Sequence, residues 1–524
     1  MNIGSGLLIS RPANLAGCFA GALALAAVAM AGTVTAHAET LKLKTVVPIP
    51  NGGKITSFDI SFVDTATNTY VLGDRTNKGV DVIDTSTNTV RMIAGQGLFK
   101  GVVLVKGVAN NDVSGPDGVM IVNSSEIWAG DGDSTLKFLS LGNGNLLGQV
   151  DTFAAAVANG LPSQGRTRVD EMCFDSNDFI GFVANNAASP PFITAVDAFT
   201  HEIIGQIFFD GSSGTPVASN GIEQCQFNPR DGKIYVSVPE VCPDGQTPGS
   251  PACPGNNFAP GAVSRINPLT LQVEATAVIP HDFCAGPQGL AIGPVDGKGV
   301  GQMLTGCNGA VSNAGPLRQT AIVDDGSQPG HTFQAAYALP FQTGNDMVDF
   351  NSSDGHYYLA RSGNNSFANP APDPVTGTPY GCPSDLGPNG TGAINYGGAI
   401  YLRPASNANA VAGLGESFGG PSFAGPAVLG MVDAMTLTND PDTITGLANC
   451  TATSPGPGGV GTAGKTNTHG TSHSVAADSG HNQIYVPVAS TAVAAGMTGL
   501  CSTIIPNQDS LGCIAVFQTV GSGP

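Results

Sequence analysis

Ile83-Asp84-Thr85-Ser86, running on into Thr87-Asn88-Thr89-Val90, recurs with altered residues at Val196-Asp197-Ala198-Phe199-Thr200, Ile266-Asn267-Pro268-Leu269-Thr270 and Val432-Asp433-Ala434-Met435-Thr436. Each copy reads as a strand closing on a β-branched residue. An Asp or Asn side chain then bonds the backbone ahead of it, and Thr leads into the next strand. A strand-turn-strand unit repeated at wide intervals implies stacked sheets, so the repeat constrains the fold more than any single motif.

Seven strand starts precede these turns: Ser57-Phe58-Asp59, Pro116-Asp117-Gly118, Val169-Asp170-Glu171, Ile222-Glu223-Gln224, Pro287-Gln288-Gly289, Asn345-Asp346-Met347 and Ser472-His473-Ser474. A second strand follows, carrying Tyr235-Val236, Tyr357-Tyr358 or Tyr485-Val486, and a third reaches the Asp/Asn turn. Four strands per unit and seven units predict an all-β, seven-bladed β-propeller of four-stranded antiparallel blades over 39–524, because radial closure protects sheet edges that a linear stack exposes. The last unit ends one strand short. Leu41 to Val47 is the expected missing strand, clasping the N- and C-terminal ends in one blade. The long sixth interval places an insertion at 363–425 within blade six, although strand character at Ala399-Ile400-Tyr401-Leu402 leaves an eighth blade as the alternative.

The run from Tyr70-Val71-Leu72 through Asn77 to Val82-Ile83-Asp84-Thr85 resembles the YVTN-type β-propeller repeat, closely in the first unit and more loosely in four others. The resemblance implies the fold far more than an activity, because that family includes surface-layer proteins, binding modules and enzyme domains. A more distant likeness to the gluconolactonase and senescence-marker propellers implies a metal held by strand-start side chains, with a carboxylate as base. In that scheme Asp117, Glu223 and Asp346 fill the ligand posts. The Asn ligands of those propellers have no counterpart at the ring positions here.

Residues 1–38 read as an export signal, with an apolar Ala20–Met30 run and small residues before Glu39, so a periplasmic or secreted protein is expected. The formal charge of −19 disfavours nucleic acid and anionic lipid as partners. Ten cysteines follow the signal, an even number suited to disulfides in an oxidising compartment. Bracketed loops suggest Cys242/Cys253, Cys501/Cys513 and Cys382/Cys450, leaving Cys284/Cys307 and Cys173/Cys225.

First residues of propeller blades point at the axis. The expected ring is therefore Asp59, Asp117, Asp170, Glu223, Gln288, Asp346 and His473, with Glu171 as a register alternative and His281 at the channel mouth. Carboxylates that close raise one another's pKa unless a cation intervenes. Oxygen ligands suit Ca²⁺ or Mg²⁺, whereas His473 with two carboxylates suits Zn²⁺ or Mn²⁺. Asp117, Glu223, Asp346 and His473 are the candidate metal ligands, and Asp170 or Asp346 the candidate catalytic base for hydrolysis of a lactone or ester. The alternative is a non-catalytic platform for a protein, glycan or small ligand, with no membrane insertion. His469, His473 and His481, and the Asp131-Gly132-Asp133 turn, are weaker metal candidates.

Overall fold

The structure, a computed structural model, describes residues 40–255, 257, 259–281, 284–293, 302–307, 320–327, 332–339, 345–361, 398–402, 416–417, 436–438, 472–490 and 501–520. The expected signal at 1–38, His469 and the Cys382/Cys450 pair lie outside these residues.

The described residues are all-β apart from one short helix and several 3₁₀ turns, and form mostly four-stranded antiparallel sheets. Sheet 1 runs Ser61–Asp64, Thr69–Asp74, Gly79–Asp84, Thr89–Ala94; sheet 2 runs Val119–Val122, Glu126–Gly130, Thr135–Ser140, Leu146–Asp151. Sheet 3 comprises Met172–Asp175, Ile180–Asn185, Phe192–Asp197 and Ile203–Phe208, and sheet 4 Cys225–Asn228, Lys233–Val238, Gly261–Asn267 and Gln272–Ile279. Sheet 5 takes Pro287–Gly293, Gln302–Cys307, Thr320–Asp325 and Phe333–Leu339, with Glu416–Ser417 added at its edge. Sheet 6 has Asn345–Asn351, His356–Arg361, Gly398–Leu402 and Thr436–Thr438. In sheet 7, Ala476–Asp478, Gln483–Val488 and Cys513–Val520 are completed by Thr40–Val47, which pairs antiparallel with the C-terminal strand. This is a β-propeller kind of repeat.

The segment 363–425 is therefore not simply a loop. Its Gly398–Leu402 stretch supplies the third strand of sheet 6, pairing with His356–Arg361, and Glu416–Ser417 extends sheet 5. The strand character at Ala399–Leu402 is real, and it serves sheet 6 itself.

The repeated turns form as their side chains dictate. Asp84 Oδ1 accepts from the backbone N–H of Ser86 at 2.9 Å and Thr87 at 3.1 Å, and Asp197 Oδ1 does the same for Phe199 and Thr200. Asn267 repeats the pattern with Leu269 and Thr270. The last turn residue adopts the left-handed conformation at Asn68, Asn88, His201 and Leu271. The Asp433 turn lies outside the described residues.

Apolar clusters fill the spaces between consecutive sheets. Val71 and Val80 pack on Val119 and Ile127 between sheets 1 and 2; Phe182 and Ile193 pack on Ile234 and Val236 between sheets 3 and 4; Tyr70 and Leu72 pack on Tyr485 and Val516 between sheets 1 and 7. Middle strands buried on both faces explain the near-continuous apolar runs in the sequence. The first strands of successive sheets touch in order from sheet 1 to sheet 7, and that of sheet 7 touches that of sheet 1.

This crowding of first strands requires glycine. A Cβ on Gly118 would lie 1.6 Å from the Asp170 carbonyl oxygen, a backbone atom that cannot swing aside. Gly118→Ala is expected to lower unfolding free energy by about 3 kcal/mol, at the upper end of overpacking costs. Gly165→Ala is the control, because nothing lies within 4 Å of its added Cβ. Equal urea midpoints for the two variants would show that the first strands separate freely.

Candidate functional site

The ring positions are equivalent by hydrogen bonding. The backbone N–H groups of Asp59, Asp117, Asp170 and Glu223 each donate to the far end of their own sheet's second strand, at Gly73, Gly130, Ala184 and Ser237. One register thus sends four acidic residues to the same level. Gln288 and Asp346 lie within the first strands of sheets 5 and 6, and His473 shortly before that of sheet 7. His281 sits in the connection leading into sheet 5.

Two arginines occupy the centre of this group. Arg75, buried at the end of the second strand of sheet 1, donates through Nε to Asp117 Oδ1 at 2.8 Å and through its terminal nitrogen to both Asp59 and Asp117. Arg168 pairs with Asp170 Oδ2 at 2.8 Å and approaches Asp59 Oδ2 at 3.5 Å. Asn186 bridges, accepting from Arg168 Nε at 3.1 Å and donating to Asp170 Oδ2 at 2.7 Å. His473 completes the network, with Nε2 on Asp59 and Nδ1 2.8 Å from Asp346 Oδ2. Both ring nitrogens face carboxylates, and only the imidazolium donates from both.

The protonation states follow. Burial alone would raise the Asp59 pKa, but Arg75, His473 and Arg168 outweigh it and hold this carboxyl well below its usual range. Burial lowers the His473 pKa, yet Asp346 and Asp59 carry it well above the ordinary imidazole value. Asp170 is pushed up by burial to about 7, with Arg168 opposing and Asp59 adding to the rise. Asp117 is raised by burial and by Asp59 despite Arg75. Glu171 and Glu223 are raised by burial first, and next by Asp170.

The structure therefore brings Asp59, Asp117, Asp170, Asp346 and His473 into one network, with Glu171 and Glu223 in its field. Gln288 keeps a buried Oε1 without a hydrogen-bond partner among the described residues. Sequence reasoning missed Arg75, Arg168 and Asn186. The available signal was Arg168 two residues before Asp170, in a chain with only 20 basic residues, where an arginine beside a strand start stands out.

The compensating positive charge demanded by crowded carboxylates comes, at least in part, from the chain itself. Among the described residues no three His, Cys, Asp or Glu side chains group as metal ligands. Of the expected ligands, Asp117 Oδ1 faces Arg75 and both His473 ring nitrogens face carboxylates, whereas Asp117 Oδ2 and Asp170 Oδ1 are buried without a hydrogen-bond partner among the described residues. The weaker candidates are also engaged. Asp131 holds Lys137 Nζ at 2.6 Å, and His481 Nδ1 lies 2.8 Å from Asp478.

A second set of side chains stitches the sheets along the axis. Gln224 donates to Val348 O at 2.9 Å and accepts from Leu290 N and Val348 N, joining sheets 4, 5 and 6. Ser61 and Ser474 hydroxyls meet at 2.6 Å between sheets 1 and 7, and Asp349 accepts from Ala477 N between sheets 6 and 7.

Four disulfides are formed among the described residues: Cys173–Cys225, Cys242–Cys253, Cys284–Cys307 and Cys501–Cys513. They suit an oxidising compartment. Among the described residues no helix is long and apolar enough to cross a membrane.

No protein-family description and no curated protein sequence matches the chain. Similar solved structures include the WD40 repeats of RRP9, at 7% identity and TM-score 0.47, covering 92% of this chain and 98% of that one. A chain of the Mitotic Checkpoint Complex matches at 9% identity and TM-score 0.48, covering 92% and 95%. Hydrazine Synthase of Kuenenia stuttgartiensis matches at 11% identity and TM-score 0.40, covering 60% and 74%. Likenesses at this level assign no function.

Proposed function

We propose that the seven sheets are the blades of a closed propeller of the YVTN type, and that the protein is a non-catalytic binding platform for a protein or glycan outside the cytoplasm. The observation that carries this reading is the engagement of the axial acids. Asp59, Asp117, Asp170, Asp346 and His473 are paired with Arg75, Arg168 or one another, an arrangement that braces sheets and sets guanidinium groups among the carboxylates.

The connections supply what the axis does not. Short turns such as 65–68, 85–88, 176–179 and 229–232 emerge at one end of the sheets. The long connections 95–118, 152–171, 209–224 and 239–260 emerge at the other, where the ring residues lie. Long connections on a rigid scaffold are where recognition usually resides. Two of these carry features suited to a partner. The ribbon Leu104–Val105/Val108–Ala109 exposes Leu104 and Val108 by 63% and 70%. The 239–260 connection is pre-shaped by Cys242–Cys253 and by buried Glu240, whose carboxylate accepts from Ser219 Oγ, Gly255 N and Ala259 N.

The test is cross-linking of the purified full chain to the proteins and glycans of its own compartment, beside metal analysis and an ester and lactone panel. Cross-links should map to 95–118 and 239–260 and vanish when 243–252 is replaced by a Gly/Ser stretch. Chelator should leave the melting temperature unchanged. A stoichiometric divalent ion, with lactone or ester turnover abolished by Asp170→Asn, would establish the metal-dependent hydrolase instead.

A further inference from the structure

On the axis, beyond the ionic network, lies a cavity of about 430 Å³ lined by first-strand residues of sheets 1 to 6. Its size is that of a small-molecule site. One end abuts the network through Glu171, the neighbour of Asp170. The other reaches Ser176, Pro229 and Ser352, exposed residues of the short turns, so the cavity opens at the end opposite the long connections.

Two independent observations point to an occupant. Glu171 is 3% exposed and lines the cavity, and no hydrogen bond or ion pair engages its carboxyl among the described residues. Leaving a buried carboxyl without a partner is costly. The walls carry Phe62, Phe174, Phe227 and Phe350, and Phe62 is 36% exposed. Aromatic walls around a single free acid favour a positive charge on an apolar body, because ring faces and carboxylate attract the same sign.

Charge complementarity excludes the other classes. Burial holds Asp117, Glu171 and Glu223 toward their neutral forms, and a cation entering beside such a carboxyl favours its ionisation, whereas an anion opposes it. The remaining wall carboxylate, Asp349, accepts from Phe350 N at 2.7 Å and Ala477 N at 2.8 Å. An inorganic divalent ion would find too few oxygen ligands.

We propose that the axial cavity binds an organic cation, an alkyl- or arylammonium, which enters from the short-turn end and pairs its charge with Glu171. This site is independent of the partner face at the long connections.

Titration calorimetry of the full chain with benzyltrimethylammonium tests it, with benzyl alcohol and benzoate as uncharged and anionic comparators. The cation should bind, benzoate should not, and Glu171→Gln should weaken the cation by roughly tenfold or more, as expected for loss of a charged partner. Phe62→Leu keeps the apolar volume without a ring face, and should weaken the cation while leaving benzyl alcohol unchanged. Replacement of 243–252 should alter none of this. The proposal is overturned by equal binding of benzyl alcohol, by full affinity in Glu171→Gln, or by no heat at millimolar cation with protein that circular dichroism shows folded. Should Glu171→Gln not fold, Phe62→Leu decides: equal affinity for the cation in that variant overturns the proposal.

Discussion

Arg75→Met is expected to cost about 3–5 kcal/mol of unfolding free energy at neutral pH, the range found when one partner of a buried ion pair is removed. Arg75 is 2% exposed and lies against both Asp59 and Asp117, so methionine would leave two carboxyl groups in contact with hydrocarbon. The two losses are unequal. Asp59 would retain His473 and Arg168, whereas Asp117, whose Oδ2 already lacks a partner, would keep no hydrogen bond and only the attraction of Arg168. Adding Asp117→Asn should therefore restore more stability than adding Asp59→Asn.

The pH dependence of this deficit has a definite sign. Asp59 is held below its usual value in the native protein, so its contribution is present above the unfolded pKa near 3.8 and lost as pH falls through the lower native value. In the variant Asp117, already raised by burial, rises further without Arg75, so the added penalty appears only as pH rises above 3.8. Both effects shrink the gap in acid. Urea unfolding at neutral pH and near the carboxylate range measures it. A deficit within about 1 kcal/mol at neutral pH, the scale of exposed pairs, would show that water screens this guanidinium.

Removing the Cys173–Cys225 disulfide by Cys173→Ala with Cys225→Ala is expected to lower stability by roughly 4 kcal/mol in the chain-entropy model. The bond joins the first strands of sheets 3 and 4 across a sequence separation of 52. Cys242–Cys253 closes a separation of only 11, for which the same model gives roughly 3 kcal/mol, and it lies mainly within one connection. Its loss should loosen 239–260 and disturb the global transition less. Denaturation midpoints of the two double variants, with hydrogen exchange along 239–260, separate the cases. Equal global losses would place the Cys242 loop within the cooperative core.

Local chemistry made the architecture legible. Asp84, Asp197 and Asn267 announce their turns because an Asx side chain bonds backbone two and three residues ahead, within the same stretch of sequence. The common level of Asp59, Asp117, Asp170 and Glu223 followed from the same periodicity. Cysteine pairs bracketing short loops were equally local. What could not be read depends on contacts between sheets. Arg75 directly follows the second strand of sheet 1, yet its partner Asp117 leads into sheet 2, and Gln224 finds Leu290 in the next sheet and Val348 two sheets away. Counting acids alone left these cations out of the ring. The third strand of sheet 6 was obscured for another reason: Gly398–Leu402 is short and separated from its partners by Gly-, Pro- and Asn-rich sequence.

The pairing of Thr40–Val47 with Cys513–Val520 sets an order of events during biogenesis. A ribosome or translocon delivers the earlier segment first, and its hydrogen-bonding edge must wait for nearly the entire polypeptide before the matching edge arrives. Intermediates with one sheet incomplete would be sticky in proportion to that delay, which favours chaperone escort until delivery ends. A product terminated before Cys513 would carry the same open seam permanently, and quality-control proteases would find it there.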